Sequence, residues 1–173
     1  MRKINCSLTK PGSLGRAIEE IKKYRNELDQ KTQLFVERLA NIGVNIAMMT
    51  LATKGKGDSP KGADFAIKID KNGNVVNGLI TVSSESILFW EFGAGYKFNP
   101  GGSPNPKADE FGMGPGTYPG QTHVPDPGYW FYYDENGDSH MSYGTQATMP
   151  MYVASMEMID NIYKVAKEVF RNG

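Results

Sequence analysis

The chain has 173 residues, enough for one ordinary domain with its own core and too few for two generous ones. Nineteen basic residues balance nineteen acidic ones, so no global field draws it to nucleic acid or an anionic membrane. The single cysteine, Cys6, excludes an intramolecular disulfide, and no apolar run approaches the roughly 20 residues of a membrane-spanning helix.

Residues 1–12 read as an N-terminal arm with positive charge but no apolar stretch of signal-peptide length. After Pro11-Gly12-Ser13, Leu14, Ala17, Ile18, Ile21, Tyr24 and Leu28 recur at spacings of three and four, which predicts one helical stripe. Phe35, Leu39, Ile42, Ile46 and Met49 predict a second. Asp29 could cap or break the run between them, so one kinked helix and two helices are both compatible with the pattern. Residues 54–63, rich in glycine and lysine, end helical structure and read as a flexible loop.

Phe65, Ile67 and Ile69 alternate with polar or small residues, and Asn72-Gly73 then leads into a β-rich run from Val75 to Val82. This predicts a hairpin with a type I′ turn. Ser83-Ser84-Glu85-Ser86 could cap a short helix through Ile87, Leu88, Phe89 and Trp90 that Gly93 and Gly95 would end, and a buried strand is the competing reading. Glu91 interrupts this apolar run. A buried carboxylate must be paired or hydrogen-bonded, so it is expected to accept donors near Gly93 to Gly95 and to act as a structural clamp.

Seven of the ten prolines fall in the glycine-rich stretch 96–128. Ordering such a loop costs on the order of 1 to 2 kcal/mol per residue in backbone entropy, so contacts of its aromatics Tyr96, Phe98, Phe111 and Tyr118 would have to offset that cost. Tyr129-Trp130-Phe131-Tyr132-Tyr133 then predicts a strand that is apolar on both faces, and Asn136-Gly137 turns it back through His140 to Tyr143. Thr148 is the expected cap of a last helix with Pro150 in its first turn. Tyr152, Met156, Ile159, Tyr163, Ala166 and Phe170 mark its stripe, read first as core and alternatively as a contact between subunits.

The fold class is therefore α+β: N-terminal helices, a small antiparallel sheet with a long Gly/Pro-rich loop, and a C-terminal amphipathic helix. Motifs for chemistry are weak. His123, Asp126 and His140 lack the helical or knuckle spacing of a zinc site. Asp134, Asn136 and Asp138 begin like a calcium loop, but the glycine is misplaced and Thr145 stands where a bidentate glutamate is needed. Gly112-Met113-Gly114-Pro115-Gly116 lacks the lysine and hydroxyl residue that complete a phosphate loop, and no Gly-x-Ser-x-Gly elbow exists. No catalytic residue, cofactor or metal is expected.

The succession of helix, sheet, Trp90-Glu91-Phe92-Gly93-Ala94-Gly95, glycine-proline loop, aromatic strand, Gly144 to Met151 and amphipathic helix resembles the head-tail joining or tail-completion proteins of long-tailed bacteriophages and prophages. Glu91-Phe92-Gly93 matches that family's Glu-Phe-Gly core, with Ala94 where threonine is usual, and Ala147 to Ala154 resembles the opening of its last helix. An arginine common before that segment is missing, and the 96–128 loop is longer than the family pattern.

The resemblance implies a structural, non-enzymatic virion protein, made in the bacterial host cytoplasm and built into the neck or tail. It would act as a ring homo-oligomer with other neck, connector or tail-tube proteins as partners, and with no membrane or specific nucleic-acid binding. Trp90, Glu91, Phe92, Gly93, Tyr129, Trp130 and Phe131 are the structural or interface candidates. Two other classes stay open: a metal-dependent hydrolase using Glu91, His123, Asp126 and His140, and a regulatory module binding nucleic acid.

Overall fold

A computed structural model describes residues 3–7, 9–54, 63–95, 97–113 and 128–171. The proposed flexible loop therefore falls almost wholly outside the described residues. So do Tyr96, the second half of the Gly/Pro-rich stretch with Tyr118, His123 and Asp126, and the Trp130 side chain.

The element order is α1 (Ser13–Lys54), β1 (Asp64–Asn72), β2 (Val75–Ser83), α2 (Ile87–Phe92), a single 3-10 turn (Asp109–Phe111), β3 (Trp130–Tyr133), β4 (Ser139–Ser142) and α3 (Pro150–Arg171). The mixed helix-and-sheet class read from the sequence is the class observed. Its strands form two separate two-stranded antiparallel sheets, β1-β2 and β3-β4, in place of one.

The N-terminal segment is one uninterrupted 42-residue helix, not two. Asp29 does not break it, because its carboxylate faces outward and accepts a 2.8 Å bond from Lys71 Nζ near the tip of the β1-β2 hairpin. That hydrogen bond holds the Asp29 carboxyl below its ordinary range. One window of α1 reaches a mean hydropathy of 1.3, long and apolar enough for a membrane span by composition. The sequence reading missed it because scattered polar residues interrupt every apolar run without lowering the average that far.

The first hairpin is in register from Asp64↔Ser83 to Asn72↔Val75, so its two-residue loop is Gly73-Asn74, one position later than expected. Only Gly73 has positive φ, which is the pattern of a type II′ rather than a type I′ turn. Phe65, Ile67, Ile69, Ile80 and Val82 share the half-buried face, and α1 is the helix that both strands contact.

α3 runs antiparallel along the C-terminal half of α1. The Phe35 and Phe170 rings are 5.9 Å apart, Arg38 and Glu168 pair at 3.6 Å, and Met158 lies over Gly43. The inward face of α3 is Ala154, Val165 and Val169, all buried. The stripe expected from sequence to be core is split: Tyr152 and Ala166 are half-buried and Phe170 meets Phe35, but its middle points outward, with Ile159 57% and Tyr163 78% exposed. Both stripes keep helical spacing, so periodicity alone could not say which one meets α1.

Because the inner face is the core, Val165→Ala is expected to destabilise the isolated subunit by about 2 kcal/mol through lost burial and a residual cavity. Tyr163→Ala should stay within about 0.5 kcal/mol of wild type. Urea denaturation of the two variants checks this, and equal losses would mean that the outer stripe is core after all.

Candidate functional site

The segment from Trp90 to Gly95 forms the centre of the best-connected polar cluster in the described chain. α2 is a six-residue helix that ends where Gly93 takes φ 80° and ψ 175°. The helical reading of this ambiguous run is thus the right one, although Ser86 makes no side-chain cap and contributes its carbonyl to the amides of Phe89 and Trp90. Gly93 must be glycine for a second reason: a Cβ there would lie 2.5 Å from Asn99 Oδ1.

Glu91 is buried and is a clamp, but its donors are not those expected near Gly93 to Gly95. Its Oε2 accepts Met151 N at 2.8 Å, and its Oε1 accepts Tyr152 N and Asn105 Nδ2, each at 2.9 Å. Met151 and Tyr152 are the second and third residues of α3. A helix's first amides have no partner within the helix, and a capping side chain ordinarily supplies one from the residue just before it. Here a carboxylate from another element does this, and it also places an acidic group at the positive end of the helix dipole.

Thr148, expected to cap α3, is engaged elsewhere. Its amide donates 2.8 Å to Trp90 O, its hydroxyl bonds to the same carbonyl at 3.3 Å, and Met149 N reaches that carbonyl at 3.1 Å. Met149, with φ 57°, is the one non-glycine residue at positive φ among the described residues. This conformation costs roughly 1 kcal/mol and turns the chain so that Pro150 can enter the core as the first helical residue.

The neighbouring strand-like contact closes the joint. Ala94 and Thr145 exchange both backbone hydrogen bonds at 2.8 Å. Gly144 lies so close that a Cβ would sit 1.8 Å from Ala94 O. Asn99 Nδ2 donates across the seam to Ala94 O, Gly95 O and Thr145 O at 3.0 to 3.2 Å. The first half of the Gly/Pro-rich stretch is therefore part of the subunit core: Asn99, Asn105 and Ala108 are buried, and Phe111 packs 5.4 Å from Phe92. Sequence reasoning missed Asn99 and Asn105; the one local signal was at Asn105, an amide between the restrictive prolines of Pro104-Asn105-Pro106.

Trp90 and Phe92 are buried within the subunit and present no surface to a neighbour. The β3-β4 hairpin does the reverse. Tyr129 is half-buried, with its ring against Phe131 and Tyr143, and Phe131, Tyr132, Tyr133 and Met141 are exposed. The Lys97 ammonium sits 4.1 Å from the Tyr143 ring centroid, linking loop to hairpin by a cation-π contact. At the turn, Asp134 accepts the Asn136 and Asp138 amides and binds His140 Nε2 at 3.0 Å. Asp134 is thus a hairpin-turn acceptor and His140 its partner.

No group of three or more metal-ligating side chains occurs among the described residues. An apolar groove of about 340 Å³ lies between α1, β2 and α3, lined by Val36, Leu39, Ile80, Ala154 and Met158. Its one hydroxyl, Ser155, already donates to Tyr152 O at 2.7 Å. The described geometry can therefore hold backbone and helix ends in place, but it gathers no nucleophile with a base.

Two outcomes follow from these contacts. Glu91→Ala should cost about 2 to 4 kcal/mol, because three buried or half-buried donors lose their acceptor, while Glu91→Gln, with one acceptor oxygen left, should cost about 1 to 2 kcal/mol by chemical denaturation. The His140 hydrogen bond, followed by the Asp138 and Asn136 amides, holds the Asp134 carboxyl below its usual 3.8. Since the folded carboxyl is the more acidic, its contribution to the hairpin is complete above 3.8 and disappears as pH falls through the lower folded value. NMR titration should show the hairpin amides losing protection only in that acid range.

Comparison with family models, curated proteins and solved structures found no match for this chain. Any functional reading is carried by its own residues and surfaces.

Proposed function

We propose that this chain is a structural, non-enzymatic subunit of a bacteriophage neck or tail, of the head-tail joining or tail-completion kind, acting through oligomeric assembly. The observation that carries the assembly part is the outward stripe on α3. A 22-residue helix with a buried face and a second, exposed apolar face has more apolar surface than its own domain covers. The exposed aromatics of the β3-β4 hairpin add to it.

The phage assignment is supported by the resemblance at Glu91-Phe92-Gly93 and at the opening of the last helix. These two short motifs meet in space, since Glu91 bonds directly to Met151 and Tyr152. A motif pair that serves to join two helices fits a scaffold role and leaves the acid fully engaged, which is the opposite of what a general acid or a metal ligand needs.

Native mass spectrometry of the purified chain, alone and mixed with portal-side connector and tail-tube proteins, tests the proposal. The expected result is a discrete closed oligomer, or one that forms on either partner. A chain that stays monomeric at every concentration and ignores both partners would overturn it.

A further inference from the structure

The heptad-spaced apolar stripe of α1 keeps one register on either side of Arg25 and Thr32, which interrupt it, and it is covered along only part of its length. Phe35, Leu39, Ile42 and Ile46 are half-buried on the side that meets α3 and the first hairpin. The same register runs back through Leu28, Ile21, Ile18 and Leu14, whose large side chains the described residues leave open, although Ala17 beside them is buried. There Leu14, Ile18, Ile21, Tyr24 and Leu28 are 42% to 60% exposed. This arm spans about 21 Å at 1.5 Å per residue.

A second, shorter bare stripe lies on the outside of α3, through Met156, Ile159, Ile162 and Tyr163, and ends before Phe170, whose ring packs against Phe35. We propose that the α1 arm of one copy docks along this outer α3 face of a second copy, head to tail. The contact rests on the assembly reading above and deepens it by naming the two surfaces that meet.

Two observations favour this occupant. The arm continues the face that already receives α3 within the chain, so α1 would carry an α3 helix along both halves, one from each copy. A single head-to-tail contact covers both stripes, whereas arm-to-arm pairing would leave the α3 stripe bare. At roughly 100 Å² for each large half-exposed side chain, the two stripes together remove on the order of 1,000 Å² from water, near the threshold for a specific interface. Because the two patches differ, the contact is heterologous, and repetition closes a ring or extends a filament.

The test uses the full chain with Ile18→Lys/Ile21→Lys on the arm and Ile159→Lys/Tyr163→Lys on α3, in analytical ultracentrifugation. All four side chains are exposed in the subunit, and unchanged circular dichroism and denaturation midpoints check that both variants fold. Each variant alone should sediment as a monomer, its self-association weakened by at least about 100-fold. An equimolar mixture should form 1:1 dimers and stop there, because one intact arm then meets one intact α3 face.

If the wild type assembles and the α3 variant assembles equally well, the proposed contact is wrong while assembly itself stands. An arm variant that is monomeric beside an α3 variant that assembles would show arm-to-arm pairing instead. A wild type that remains monomeric throughout overturns the contact, as would an arm that binds phosphatidylcholine–phosphatidylglycerol vesicles and never another copy, while the assembly reading falls only if the chain also ignores the connector and tail-tube proteins.

Discussion

The Glu91 carboxylate at the start of α3 is the contact on which the remaining architecture depends. Three donors from two distant parts of the chain converge on it: Met151 N, Tyr152 N and Asn105 Nδ2. Hydrogen bonds to a charged acceptor contribute about 1.5 to 3 kcal/mol each, and a buried carboxylate without them would be costly. The group therefore works in both directions. It stabilises the helix end, and it forces the loop residue and the helix to stay beside α2, since separation would strand a buried acid.

Fixing the first turn of α3 also fixes which side of that helix faces α1. Pro150 is locked in the core, the strained Met149 turn precedes it, and the Trp90 carbonyl holds Thr148 and Met149 by three contacts. With that start, Ala154, Val165 and Val169 must point inward, and Met156, Ile159 and Tyr163 must point out. The joint thus links a short acidic motif to the display of an apolar face. A function through assembly needs such a device, because an interface helix has to be presented at a set rotation before any partner arrives.

Local patterning made much of the fold legible. Alternation with a Gly turn gave both hairpins, and Ser13 and Pro150 marked helix starts within a residue or so of the observed bounds. Glu91 stood out because an acid in an apolar run needs partners. Its partners were invisible, since they lie 14 to 61 residues away and two of them are backbone amides with no sequence signature. Thr148 has the chemistry of a cap, yet a residue from α2 reached the helix end first, and only the tertiary fold decides such a competition. The middle of the α3 stripe, Met156 to Tyr163, was found in the right register and placed on the wrong side, because a helix with two apolar faces satisfies one periodicity twice. Asn99 and Asn105 were hidden by composition. A Gly/Pro-rich segment reads as loop whether or not its amides are buried.

The central claim is that the Glu91 clamp, rather than local helix propensity, holds the first turn of α3. Amide hydrogen exchange followed by NMR tests it at single residues. The Met151 and Tyr152 amides should exchange only through global unfolding, as slowly as those in the middle of α3. Exchange at the fast rate of a fraying helix end, while the rest of α3 stays protected, would contradict the account.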